Sequence, residues 1–298
     1  MIPFWVTATI ASLGLAVGSI TDFDKREVPD MLNFLLIALG LSIGAVNSMA
    51  SQTWWPLLNA LSGFGVAYLV AALLFYSGQW GGGDAKMLMG LGALHGIMFF
   101  GPESIILNWQ WPLLGTIIVA IFVAGSVYSI LYFFGIVGFR FKRVLKELNN
   151  VRYTKKWKIA RLVSAVFLIG GLAGYLILQG PLGWMLLLVG LLIGGGVMLL
   201  LTARVVQEKV MAKKVAVKDL VPGDWLVESV KQKGKIIVEQ SKIGLVEKDI
   251  AQLKEKKVSS VVVKEGIPFI PGFLLGYITI LIFGNWVPLA AGYIWYVF

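Results

Sequence analysis

The stretch "GQWGGGDAKMLMG", residues 78–90, sets three consecutive glycines, an aspartate and a lysine between two apolar runs. A second polar island, "SITDFDKREVPDMLN" at residues 19–33, divides two earlier apolar runs. A bilayer is crossed by about 20 apolar residues, within a range of roughly 17–25. Both islands therefore mark the ends of membrane helices. Working outward from them, apolar spans fall near 2–21, 31–50, 56–77, 85–101, 112–138, 162–179, 183–203 and 268–284. The tail "NWVPLAAGYIWYVF" either extends the last helix or lies along the interface.

Composition agrees with this reading. Of 298 residues, 58% are hydrophobic and 14% are charged, against about 25% charged in soluble domains. The mean hydropathy is +0.82. The N-terminal run has no basic residue before it, and Lys25 and Arg26 follow it. This is the reverse of a secretory signal, so the run is expected to be a retained helix with its N-terminus outside. The loops near 22–30, 78–86, 139–161 and 204–267 are then cytoplasmic and hold every Lys and Arg. The opposite loops, "NSMASQTWW", "GPESIILNWQW" and "LQGPLG", hold none. That asymmetry obeys the positive-inside rule. It accounts for the net charge of +10 without a nucleic-acid partner.

The expected fold is an α-helical polytopic membrane protein of about eight transmembrane helices. A small cytoplasmic α+β domain precedes the last one. Residues 1–138 hold helices one to five, 139–161 a basic loop, 162–203 helices six and seven, 204–267 the soluble domain, and 268–298 the last helix and tail. Within the domain, "KVAVKDL", "GDWLVESV", "KIIVEQ" and "VSSVVVKEG" read as strands and "VEKDIAQLKEKK" as an amphipathic helix. About 60 residues is marginal for independent folding, so the domain is expected to lean on the bundle or on lipid headgroups.

Chemistry is narrowed by what is missing. The chain has no cysteine and one histidine, His95. Thiol nucleophiles, zinc–thiolate sites and the two-histidine zinc-protease motif are excluded. No cofactor or metal motif is read. Before residue 140 the acids are Asp22, Asp24, Glu27, Asp30, Asp84 and Glu103, and five of these six lie in the two islands. Ionisable groups near lipid are costly and point to function. Asp84 follows glycines that would weaken any helix interior but let a backbone approach closely, as in strand addition by an extended peptide. Its competing role is to cap the following helix. Asp22 ends the first helix, where a carboxylate opposes the helix dipole, while a solvated loop of mixed charge is the plainer alternative. Two aspartates on one membrane face can share a proton when close. One then activates water while the other protonates a leaving amine.

"GGGDAK" fits the Gly-x-Gly-Asp motif of intramembrane aspartyl proteases, and "TDFDKREVPDMLN" resembles the first-aspartate segment of type IV prepilin peptidases. The order and spacing of the two, with no N-terminal cysteine-rich segment, resemble the archaeal prepilin and preflagellin (archaellin) peptidases. The motifs lie within roughly residues 10–100, and "GIPFIPGFLLG" after the soluble segment is a further likeness. The resemblance implies an Asp22–Asp84 dyad, a substrate among pilin-like or archaellin precursors, and cleavage of a basic leader after a small residue. The cut falls at the cytoplasmic face. Gly81 and Gly83 match the motif glycines, with Gly82 between them. Lys86 stands where relatives often carry lysine, to steer the proton or to anchor topology. Arg26 would orient the first loop. Glu27 and Asp30 would hold the basic leader or pair with Lys25 and Arg26. Asp24 competes with Asp22, but is expected to be more exposed. His95 is expected to be a packing residue. Membrane lipids are expected partners, and N-methylation is not assigned.

Three other readings compete. An ion-coupled transporter would place its carboxylates at the midplane. A pilin-assembly scaffold would bind pilin-like helices without cutting. A presenilin-type protease pairs its motif with Tyr-Asp, whereas Thr21 precedes Asp22 here.

Overall fold

The computed structural model describes residues 1–98, 112–178, 180–232, 234–241 and 244–287. The loop carrying Glu103 and most of the C-terminal tail lie outside the described residues. Four helices come first: α1 (Phe4–Lys25), α2 (Asp30–Ser51), α3 (Trp55–Tyr76) and α4 (Gly82–His95). They are followed by α5 (Leu113–Phe139), α6 (Phe141–Val151), α7 (Lys155–Leu178) and α8 (Gly180–Val205). After the soluble segment come α9 (Glu247–Glu255) and α10 (Ile270–Phe283). Among the described residues, six helices are long and apolar enough to span a bilayer, namely α1, α2, α3, α5, α7 and α8. The chain is a multi-pass membrane protein.

The helices expected near 85–101 and 268–284 are shorter than read. Each has 14 residues, about 21 Å at 1.5 Å per residue. Composition could not reveal where α4 stops, because apolar residues continue beyond it. Two features end it. Gly96 adopts φ +66°, and Asn59 of α3 accepts the Ile97 and Met98 N–H groups at 3.1 and 3.0 Å.

α4 sits at the centre of the N-terminal helices, packed on both α2 and α3. Met87, Leu88 and Leu91 of α4 are fully buried against Leu15, Leu36, Ile117, Phe273 and Tyr277. Small residues set the depth of that packing. A Cβ on Gly92 would stand 2.5 Å from both the Ala67 Cβ and the Gly63 carbonyl oxygen, so α3 and α4 touch backbone to backbone. α7 and α8 pack chiefly on each other, and most of their apolar surface faces outward.

The soluble domain follows α8 through a π-helical turn, Val206–Val210. Strands β1 (Ala212–Ala216), β5 (Ser260–Lys264) and β2 (Trp225–Leu226) form an antiparallel sheet in that order. β3 (Val230–Gln232) and β4 (Lys235–Val238) form a separate hairpin. The core of the domain is small: Val217, Leu220, Leu226, Val238, Leu245, Ile250, Leu253, Val261 and Val263. As its size requires, the domain leans on the bundle. Val206, Val210 and Met211 bury against Val144 of α6 and against Phe133, Ile136 and Val137 of α5. Arg140 and Arg143 donate to the Val210 and Lys209 carbonyls, both at 2.9 Å, satisfying acceptors that a helix end leaves open.

Candidate active site

Asp22 lies in the last turn of α1, and that turn ends because Arg26 takes a left-handed conformation, φ +60°. Asp84 lies in the first turn of α4, after its N-cap Gly81. Both side chains open on one cleft of about 1460 Å³ between the helix bundle and the soluble domain. Asp22 is 7% exposed, and its Oδ2 accepts the Ile270 N–H at 3.0 Å. Asp84 Oδ2 accepts the Gly81 N–H at 3.1 Å. Asp84 therefore does cap its own helix, which begins at Gly82 rather than Ala85, and it also faces the cleft.

The three glycines do different things. Gly83 packs on the loop after α1, where a Cβ would meet Val28 Cβ at 3.1 Å. Gly81 lines the cleft, and the nearest atom to a Cβ there would be Asp84 Oδ2 at 3.5 Å. Gly82 borders Phe75 and is not among the lining residues. A side chain at 81 would thus fill space beside the Asp84 carboxylate.

Of the remaining predicted residues, Glu27 and Arg26 line the cleft, while Asp30 and Lys86 do not. Lys86 Nζ pairs with Asp30 at 2.6 Å and lies over the Phe34 ring. The pair fastens the start of α4 to the start of α2. Lys86 follows Asp84 by two positions, about 200° round a helix, so it turns away from the carboxylate. Asp24 likewise faces away from Asp22 and is exposed. Arg26 donates to the Tyr132 hydroxyl at 2.9 Å and pairs with Glu265 at 3.7 Å. His95 is buried at the opposite end of α4, about 16 Å from Asp84 along the axis, and its Nε2 meets the Tyr277 hydroxyl at 2.8 Å.

Several lining residues escaped the sequence reading. Trp80, beside the glycines, is buried and rings with Phe122, Phe269 and Phe273. Asp224 and Glu265 reach the cleft from the soluble domain. Asp224 is carried by a braced turn. The Gly223 N–H bonds the Leu245 carbonyl, the Leu245 N–H bonds the Asp224 carbonyl, both at 2.8 Å, and Gly223 is at φ +102°. Burial pushes the Asp224 carboxyl up, against the Val221 N–H that it accepts. Partial burial, followed by the negative charge of Asp224, pushes Glu27 up as well. Pro222-Gly223-Asp224 is a turn signal in the sequence, but that signal does not give the face the turn docks on.

An α-helical membrane bundle with two aspartates facing one interfacial cleft defines the class as a polytopic membrane protein with a carboxylate site. Residues 9–133 match the type IV leader peptidase family. The matched stretch contains both islands, α1 from residue 9 onward, and all of α2–α4. Among curated proteins, the chain is similar to the preflagellin peptidase of Methanococcus maripaludis, 39% identical over 28% of this chain and 36% of that one. It is similar to the preflagellin peptidase of Methanococcus voltae, 33% identical over 30% and 38%. A third preflagellin peptidase, from Methanocaldococcus jannaschii, is 26% identical over 54% of this chain and 71% of that one. The match thus spans little more than a third of the length of the first two relatives.

Proposed function

We propose that the chain is a membrane-embedded aspartyl endopeptidase that removes basic leaders from pilin-like or archaellin precursors at the cytoplasmic membrane face. The observation that carries this reading is the opening of Asp22 and Asp84 on one cleft beside the Gly81 backbone. In this reaction the attacking water is held between the two carboxylates. One takes a proton from it as its oxygen attacks the scissile carbonyl carbon. The other gives a proton to the amide nitrogen as the C–N bond breaks. A substrate strand laid against the 78–81 backbone brings its carbonyl to the dyad, and its hydrophobic helix stays in the bilayer. The distribution of Lys and Arg supports the cytoplasmic side. The placement of both acids at one end of the bundle favours a peptidase over a midplane ion path. The test is direct. Purified protein in lipid is incubated with a precursor bearing a Lys/Arg-rich leader and a glycine before its helix. Mass spectrometry then reads the new N-terminus. Absence of any processed product from such precursors would sink this reading.

Glu27 and Asp224 support a place for the leader's cations. They approach from the bundle and from the soluble domain, and the Asp224 charge disfavours that of Glu27. A lysine or arginine between them removes that repulsion. Asp224→Asn is expected to raise KM about 3- to 10-fold for a basic leader, with kcat little changed and a smaller effect on a neutral leader. Both carboxyls are held above their ordinary range, so their charge is lost as pH falls through those raised values. KM for the basic leader is therefore expected to rise as the pH is lowered from neutral, and to rise less in the Glu27→Gln, Asp224→Asn double variant. A KM independent of both changes would remove these residues from leader recognition.

A further inference from the structure

Asp22 is placed where its own helix disfavours it. The last turn of α1 presents the negative end of a helix dipole. What offsets this comes from 248 residues further along the chain. The Ile270 N–H donates to Asp22 Oδ2 at 3.0 Å. Ile270 is the first residue of α10, so its N–H has no intrahelical acceptor. Its neighbours leave it available. Phe269, the N-cap, has no side-chain acceptor; Pro271 has no N–H; the Gly272 and Phe273 N–H groups turn back to the Phe269 carbonyl at 2.9 and 3.3 Å. Asp22 thus caps α10 from another helix. Glu265, between β5 and α10, grips α1 a second time through its pair with Arg26.

Asp84 is held differently. Among the described residues its one backbone donor is Gly81, at the start of its own helix. The dyad is therefore not symmetric. Asp22 receives an N–H from a helix end that favours an anion, with Arg26 nearby. We propose that the first turn of α10 is a positioning element of the active site. Through the Ile270 N–H it holds Asp22 as the carboxylate that takes the proton from water, leaving Asp84 as the acid that protonates the amine. This inference rests on the peptidase reading above for its chemistry, but its structural half can be tested alone.

Ile270→Pro removes the donor at the first helical position but strains Phe269, whose αR conformation at ψ −20° is disfavoured before proline; Ile270→Val keeps the donor while trimming the side chain. Loss of a hydrogen bond to a charged group is worth about 10- to 100-fold. Ile270→Pro is expected to lower kcat by that factor with KM unchanged, and to move the acidic limb of the pH–rate profile upward by about one unit. Ile270→Val is expected to follow wild type in both. A loss equal at every pH with an unmoved limb would overturn the assignment, since a merely structural defect behaves so. If Ile270→Pro does not fold, infrared spectra of the Asp variants decide. A buried carboxylic-acid C=O band that disappears in Asp84→Asn and persists in Asp22→Asn supports the proposal; the reverse pattern overturns it. The infrared reading needs no cleavage, so a failure of the peptidase reading stays distinguishable.

Discussion

Asp84→Asn is expected to end leader processing, with a loss of about 10²- to 10⁴-fold, the range that a positioned acid or base contributes. Asp22→Asn should do the same, and the double variant should lose little more, because two groups that act as a unit are not additive. The asparagine replacement is chosen for what it keeps. Its side-chain oxygen can still accept the Gly81 N–H that Asp84 accepts now, or the Ile270 N–H at position 22. The helix starts therefore stay capped, and thermal unfolding should differ little from wild type. Asp24→Asn supplies the contrast. Asp24 is two residues from Asp22 on the same helix but exposed, and its replacement should leave processing near wild type. The measurement is the processed fraction of a co-expressed precursor against time, in membranes with matched protein levels. If Asp22→Asn and Asp84→Asn both process at wild-type rates, carboxylate catalysis is wrong, and the cleft serves another purpose.

The islands were legible because acids are scarce. Five carboxylates in two short stretches stand out against apolar runs, and positive-inside asymmetry puts both stretches on one face. The small α+β region before the last helix was legible too, since period-two strands and a Pro-Gly-Asp turn depend only on local chemistry, although "GDWLVESV" holds only the two-residue β2 and the start of β3. Three things were not. The end of α4 is set by Asn59 from another helix, while the apolar sequence runs on past it. The approach of Asp224 to Glu27 depends on how Val206, Val210 and Met211 seat the domain on α5 and α6. The seat of Asp22 on α10 joins positions 248 residues apart. "GIPFIPGFLLG" marked that segment without giving it a role. The direction of Lys86 was within reach, since a residue two places from Asp84 on a helix cannot share its face.

Gly92→Val is expected to lose cleavage while every acid stays in place, because it acts on the element that presents Asp84. A Cβ at 92 would sit 2.5 Å from the Ala67 Cβ and from the Gly63 carbonyl oxygen. Neither neighbour is the end of a flexible side chain, so α4 itself must move away from α3. Overpacking of this kind costs about 1–3 kcal/mol and occasionally more. With both contacts on rigid partners the upper end is expected, a fall of roughly 10 °C in Tm for a chain of this size. Displacement of α4 carries Asp84 with it, and a shift of about 1 Å at a reacting group can cost on the order of 10²-fold in rate. The control is Gly65→Ala, on the same α3 helix, where a Cβ meets nothing within 4 Å. There alanine only removes glycine's helix penalty, up to about 1 kcal/mol, so stability should hold or rise and cleavage should persist. Thermal unfolding in detergent, followed on both variants beside the cleavage assay, separates the two positions. Equal Tm values for Gly92→Val and wild type would mean that α3 and α4 do not depend on this contact. The depth of α4 in the bundle would then need another cause.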